Sequence, residues 1–192
     1  MSDILKPKKL SLYKALEIGY LRNEAKQKKR LKRFGYRLVD DLTNREHVVA
    51  INPATNKLLY ISNGTDFSNS RDVQNDILGG LGMRDTKRRD EEKNALLKAK
   101  KIYNPKETTL VSHSLGSQYT NYIADPSDKV IQYNPYYTAG AKARPNVENY
   151  RTKMDIVSSF APAANTHLVK GGSVNPYSTH NIENIKEAPI FV

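Results

Sequence analysis

The chain contains no cysteine and no tryptophan among its 192 residues. Without thiols there are no disulfides, no thiolate nucleophile and no cysteine-ligated zinc. The redox compartment stays open, because a chain without thiols tolerates either state. Apolar residues are also scarce, at 38%, and mean hydropathy is −0.67. No run approaches the roughly 18 apolar residues that read as a membrane span. The stretch MSDILKPKKLSLYK at the N-terminus has no apolar core of a secretory signal, so export by that route is not expected. The length suits one domain with a full-sized core and is small for two.

Acidic residues are in the minority, and where the imbalance falls is informative. The net charge is +11. Residues 1–33 carry eleven basic and three acidic side chains, a surplus of +8. Residues 84–101 carry eight basic and four acidic, a surplus of +4. The remaining chain is close to neutral. Two cationic segments of this kind either face solvent or meet an anionic partner, such as an acidic membrane surface or nucleic acid.

Periodicity organises the rest. Residues 11–33 predict a single basic helix, with Leu12, Leu16, Gly19 and Tyr20 on one face, Ser11 as cap and Gly35 as stop. The runs HVVAI and KLLYIS, joined by NPATN, predict a hairpin. A short helix is expected over 71–78, broken by the glycines of GGLG, and a longer one over 86–103 with Leu96, Ala99 and Tyr103 on one face. Asn104-Pro105 ends it. Strands follow at 108–112, 129–134 and 146–151, with a helix over 115–124. Alternation of strand and helix indicates parallel pairing and an α/β fold. The expected organisation is a basic N-terminal helical arm over 1–35, packed on or extending from the core, and a catalytic α/β domain over 36–192.

One junction carries chemistry. The strand TTLVS runs into Ser112-His113-Ser114-Leu115-Gly116, and a helix follows. Strand, small-x-Ser-x-small, helix is the setting of a nucleophile elbow, in which a strained turn lifts the serine hydroxyl above the sheet. The usual pattern is G-x-S-x-G, and here Ser112 replaces the first glycine. A serine needs a histidine to take its proton and a carboxylate to orient that histidine. In this topology the order is Ser, acid, His, with the acid after the second strand beyond the elbow. Asp155 fills that slot, whereas Asp125 and Asp128 come too early. Of four histidines, His47 precedes the elbow and His113 lies inside it, expected to point away. His180 and His167 are the candidates for the base. The backbone N–H of Leu115 is one expected oxyanion donor. Thr65, in the Asn63-Gly64-Thr65-Asp66 turn after a strand, is the other. Asp72 and Asp76 share a helical face at i, i+4, with loop capping as their expected role rather than metal binding. No metal or cofactor is expected.

These residues together resemble the class 3, fungal-type, lipase family. Gly64-Thr65 resembles the family's oxyanion motif, Asp72 and Asp76 its D-x-x-x-D helix, with Val73 where tryptophan is usual, and His113-Ser114-Leu115-Gly116 its nucleophile motif. Asn134-Pro135 is similar to its proline turn, and Asp155-Ile156-Val157 to its aspartate segment. Ser117 stands where a further glycine is common. The pattern also resembles compact lipase-like proteins of large DNA viruses. The resemblance covers roughly residues 36–192. It implies an α/β-hydrolase fold, a mostly parallel sheet flanked by helices, preceded here by the basic N-terminal helix. It further implies Ser114, Asp155 and His180 as catalytic residues, with Thr65 and Leu115 at the oxyanion.

The expected activity is hydrolysis of a lipid or other carboxylic ester through an acyl-enzyme. The segment DFSNSRDVQND, where the family carries a lid, is mostly polar, which favours a carboxylesterase or phospholipid acyl hydrolase over a triglyceride lipase. The expected location is cytoplasmic or virion-associated. The competing expectation is a catalytically silent structural or nucleic-acid-associated protein on the same scaffold.

Overall fold

A computed structural model describes residues 8–64, 86–170 and 180–185. Among these residues seven strands form one sheet: β1 (Arg37–Leu38), β2 (His47–Asn52), β3 (Lys57–Ser62), β4 (Glu107–His113), β5 (Lys129–Tyr133), β6 (Val147–Thr152) and β7 (Thr166–Val169). Their spatial order is their chain order. The pairs β1/β2 and β2/β3 are antiparallel, and every pair from β3 to β7 is parallel. Parallel neighbours need long crossovers, which is where the helices go. Among the described residues four α-helices accompany the sheet: α1 (Leu12–Gly19), α2 (Glu24–Lys32), α3 (Thr86–Tyr103) and α4 (Gly116–Ile123).

Side chains alternate across a strand, so each strand feeds two cores. Leu59 and Ile61 of β3 join Val111, Ile131 and Tyr133 beneath α1, with Leu12, Ala15, Leu16 and Ile18. Leu58 and Tyr60 turn the other way, to Leu110, Val130, Leu96 and Ala99 of α3 and Ile123 of α4. Being covered on both faces, β2, β3 and β4 read as unbroken apolar or β-branched runs rather than alternating ones. The expected α/β-hydrolase-like sheet is the one observed.

The single helix expected over 11–33 is instead two. Ser11 caps α1 by accepting from the Lys14 N–H. The chain leaves the helix after Gly19, and Asn23 caps α2 by accepting from Lys26 N–H at 2.9 Å. Gln27 bridges the break, donating to the carbonyls of Leu21 at 2.9 Å and Ile18 at 3.3 Å. Burial explains the break. α1 buries five of its eight residues, whereas α2, rich in lysine and arginine, buries only Gln27 and Leu31. One straight helix would carry its cations along the apolar face. Instead α2 keeps them outside, where Lys28 pairs with Glu24 and Asp40. Gly35 then stops α2 at φ 78°, with Gly35 N–H on Lys32 O and Tyr36 N–H on Leu31 O, both at 3.1 Å. This is the left-handed glycine cap with its 5→2 and 6→1 bonds.

The hairpin, α3, and the strands before and after α4 fall where the sequence pattern predicts them. β1 and β7 were not expected. One has two residues, and the other, THLV, lies at the sheet edge with His167 and Leu168 exposed. Among the described residues no helix is long and apolar enough to cross a membrane. The short helix expected over 71–78, with Asp72 and Asp76, lies outside the described residues, as does Thr65.

Candidate active site

β4 delivers Ser114 to the sheet's carboxyl end in a left-handed conformation, φ 52°. A residue with a Cβ pays roughly 1–2 kcal/mol there, so surrounding contacts must hold it. Ser114 N–H donates to Tyr133 O at 3.2 Å, and its carbonyl accepts from Tyr136 N–H at 3.1 Å and Ser117 N–H at 3.0 Å. Two glycines permit the crowding. A Cβ on Gly116 would lie 2.4 Å from the Ser62 carbonyl oxygen, and one on Gly64 would lie 2.8 Å from Ser114 Cβ. The end of β3 therefore touches the elbow directly. The Ser114 hydroxyl is fully buried and bonds to no described residue.

The two serines that depart from the usual glycine-rich motif face each other under the elbow. Ser112 Oγ lies 3.5 Å from Ser117 Oγ and 2.9 Å from Thr120 Oγ1. Gln132 of β5 donates to Thr120 Oγ1 at 2.9 Å and to Asn121 Oδ1 at 3.0 Å. A satisfied polar cluster thus fills the space that glycines would leave between strand and helix.

Asp155 follows β6 in a turn, its N–H on Thr152 O at 3.1 Å. Asn134, itself at φ 40°, ties that turn to the end of β5 by accepting from Thr152 N–H at 2.9 Å. The Asp155 carboxylate is buried, with Oδ1 2.9 Å from His180 Nδ1 and Oδ2 accepting from the N–H and hydroxyl of Ser158. Burial alone would raise its pKa; the bonds from His180 and Ser158 outweigh that and hold it below the ordinary aspartate value. His180 is therefore the histidine that meets Asp155. His167 sits on β7, exposed, its ring stacked on Tyr150 at 4.9 Å. His47 is buried against Tyr60 at 5.4 Å, and Asp125 and Asp128 hold Lys100 at 2.7 Å.

His113 does more than point away from Ser114. Its ring packs 4.9 Å from the ring of His180, and its Nε2 lies 2.9 Å from the His180 carbonyl oxygen. A carbonyl only accepts, so Nε2 carries the proton and Nδ1 is the acceptor. Tyr20 Oη, 2.7 Å from that Nδ1, donates to it and accepts from Gly64 N–H at 3.0 Å. Burial, with His180 beside it, pushes His113 down to about 3, which keeps this directional chain neutral. The loop at Gly64 and the loop at His180 are joined through two side chains that sequence reasoning left without a role.

A second unforeseen device sits under the same loop. Arg88 of α3 donates to Asn63 O at 2.6 Å and to Glu92 Oε1 at 2.8 Å. Glu92 also accepts from Ser62 Oγ at 3.0 Å and Tyr60 Oη at 3.3 Å. Burial pushes Glu92 up to about 7, against the opposing pull of Arg88. In the sequence these two were only part of a charge run; their i, i+4 spacing was the available signal. Leu115 is the residue before α4 and is buried. Among the described residues no group of three or more His, Cys, Asp or Glu side chains is placed to hold a metal.

No protein-family profile matches the chain, and no curated protein sequence does. Solved structures do. A lipase from Yarrowia lipolytica aligns at 11% identity over 90% of this chain and 80% of its own, with TM-score 0.57. A lipase–propeptide complex from Rhizomucor miehei aligns at 13% identity over 83% of this chain, TM-score 0.55, and this chain spans only 65% of that one. A protein from Penicillium cyclopium, MDLA, aligns at 14% identity over 88% of this chain and 80% of its own, TM-score 0.56. At such identities the likeness is one of fold.

Proposed function

We propose that this chain, built on a fold shared with fungal lipases, is a serine ester hydrolase acting on a lipid or other carboxylic ester through an acyl-enzyme. The observation that carries the reading is the 2.9 Å bond between buried Asp155 and His180, whose ring packs beside the residue preceding a left-handed elbow serine. A carboxylate on Nδ1 holds the proton there and leaves Nε2 as the basic nitrogen.

In the proposed reaction His180 takes the proton of Ser114 as Oγ attacks the ester carbonyl. Asp155, kept ionised by Ser158 and His180, stabilises the imidazolium that forms. The N–H groups of Leu115 and Thr65 receive the developing oxyanion; a donor of this kind is typically worth about 2.7–4 kcal/mol. The imidazolium then protonates the leaving alcohol. Water, deprotonated by His180, releases the acid and restores Ser114. Tyr20 and His113 support this by holding the Gly64 and His180 loops in fixed relation, and Arg88 with Glu92 holds the Asn63 carbonyl from below.

Labelling with a fluorophosphonate, alongside turnover of a short soluble ester, tests the reading. Wild type is expected to label and turn over. Ser114→Ala is expected to lose the label and roughly 10⁴-fold or more of turnover. A wild-type protein that neither labels nor hydrolyses esters, while folded, would favour a silent member of the scaffold.

A further inference from the structure

The cationic surplus of α3 is spread over different structural tasks. Arg88 is committed to Glu92 and Asn63, and Lys100 to Asp125 and Asp128. Arg89 and Lys93 instead lie over the half-exposed ring of Tyr122, at 4.7 and 5.6 Å from its centroid. Arg89 and Tyr122 border a cleft of about 420 Å³ between the start of α3, the outer face of α4 and the 136–144 loop. Arg89, Lys142 and Arg144 line it with Tyr122, Tyr136 and Tyr137, and no carboxylate does among the described residues. Arg144 donates to the carbonyls of Asn121 and Ala124, pinning the loop to α4 while keeping its charge at the cleft. One lining residue adjoins the elbow: Tyr136 N–H donates to the carbonyl of Ser114 at 3.1 Å.

We propose that this cleft binds a phosphate-type anion carried by the ester substrate, so that the enzyme prefers esters with an anionic head group over neutral ones. This rests on Ser114 being the nucleophile. Three cations line this partly enclosed site; Arg89 is shared with the exposed carboxylate of Asp90 at 3.3 Å, and the remaining surplus still creates a positive potential there. A guanidinium held over an aromatic face is pre-oriented, so less freedom is lost when it binds. Aromatic lining suits the apolar stem of a glycerol ester as well as hydroxyl contacts to phosphate oxygens.

Calorimetry on Ser114→Ala separates binding from chemistry. The probes are dibutyrylphosphatidylglycerol below its micelle concentration, tributyrin, inorganic phosphate and a ten-nucleotide single-stranded DNA. The phospholipid is expected to bind at least tenfold more tightly than tributyrin or phosphate. Arg89→Gln with Lys142→Gln, at half-exposed and exposed positions, is expected to weaken phospholipid binding about tenfold or more with the melting temperature retained. In the active protein the same pair is expected to raise KM for the phospholipid with little change in kcat. Equal affinity for tributyrin, or phospholipid binding unmoved by the double change, overturns the proposal. Phosphate alone binding as tightly as phospholipid would make the cleft an anion site unconnected to the ester. DNA binding more tightly and lost in the variant would make it a nucleic-acid surface. Loss of fluorophosphonate labelling in wild type would strike the reading of Ser114, not the calorimetric result.

Discussion

Replacing Gly64 by alanine adds one carbon where three groups already stand. The new Cβ would lie 2.8 Å from Ser114 Cβ, 2.9 Å from the His113 carbonyl oxygen and 2.9 Å from Tyr20 Oη. Carbon contacts settle near 3.5–4.0 Å, so roughly 1 Å must open on the Ser114 side. Little there can give way. Ser114 is pinned through Tyr133, Tyr136 and Ser117, and Tyr20 is held by His113 at 2.7 Å. Overpacking of this kind costs about 1–3 kcal/mol, and a displaced loop also loses the Gly64 N–H bond to Tyr20, worth about 1 kcal/mol. At this chain length each kcal/mol lowers the melting temperature by about 2–4 °C. A shift of about 1 Å in a reacting geometry costs on the order of 10² in rate. Gly64→Ala is therefore expected to melt about 4–16 °C lower and to hydrolyse a neutral short ester about a hundredfold more slowly. Gly140→Ala is the control. Its φ is +81° but a Cβ there meets nothing within 4 Å. It should cost only the left-handed strain of roughly 1–2 kcal/mol and no more than a fewfold in turnover. A Gly64→Ala protein within 0.5 kcal/mol and threefold of wild type, on the scale of ordinary surface changes, would show that the elbow and the β3 loop do not constrain each other.

Asp155→Asn should lower ester turnover by about 10⁴-fold while leaving substrate affinity near wild type, measured as kcat and KM. Ser112→Gly, which restores the usual motif glycine, should destabilise by about 1–2 kcal/mol in urea unfolding, because Ser112 bonds Thr120 at 2.9 Å and a strand glycine is costly. Acidification should destabilise the fold: His47 and His113, held by burial at about 4 and about 3 against 6.5, contribute stability present above pH 6.5 and lost as pH falls through those values. Glu92, raised by burial to about 7 from 4.5, works oppositely, its contribution present below pH 4.5 and lost as pH rises through 7. From pH 6.5 to 4.5 the unfolded chain thus gains about one proton more than the native one, a loss of about 3 kcal/mol; Glu92→Gln should steepen it, and a flat urea midpoint over that range would contradict these assignments.

Much of the fold was legible because its signals are local. α3 runs Thr86–Tyr103 as its apolar face and the Asn104-Pro105 stop predict, and Asn104 closes it at φ 40°. The hairpin is set by β-branched runs and a turn at 53–56. The candidate site was legible as chain order: an elbow serine, then Asp155, then a histidine near the end. The break between α1 and α2 was not, because helical spacing continues through it and only the burial of α1 against β3 and β4 decides where the cations must leave the core. β7 was missed because THLV is only four residues long with no alternating apolar face, and its partner is another strand rather than anything in its own residues.

The sequence by itself determined which elements form and which side chains are chemically able to act, since propensity, capping and the strand–serine–helix junction are properties of neighbouring residues. Only the tertiary structure decided which of them meet. His180 rather than His167 reaches Asp155; His113 and Tyr20 bind two loops together; and Arg88 with Glu92 is a buried clamp rather than a solvated pair. Contacts between residues 25 to 93 positions apart depend on how the sheet and helices pack, and no local pattern encodes that distance.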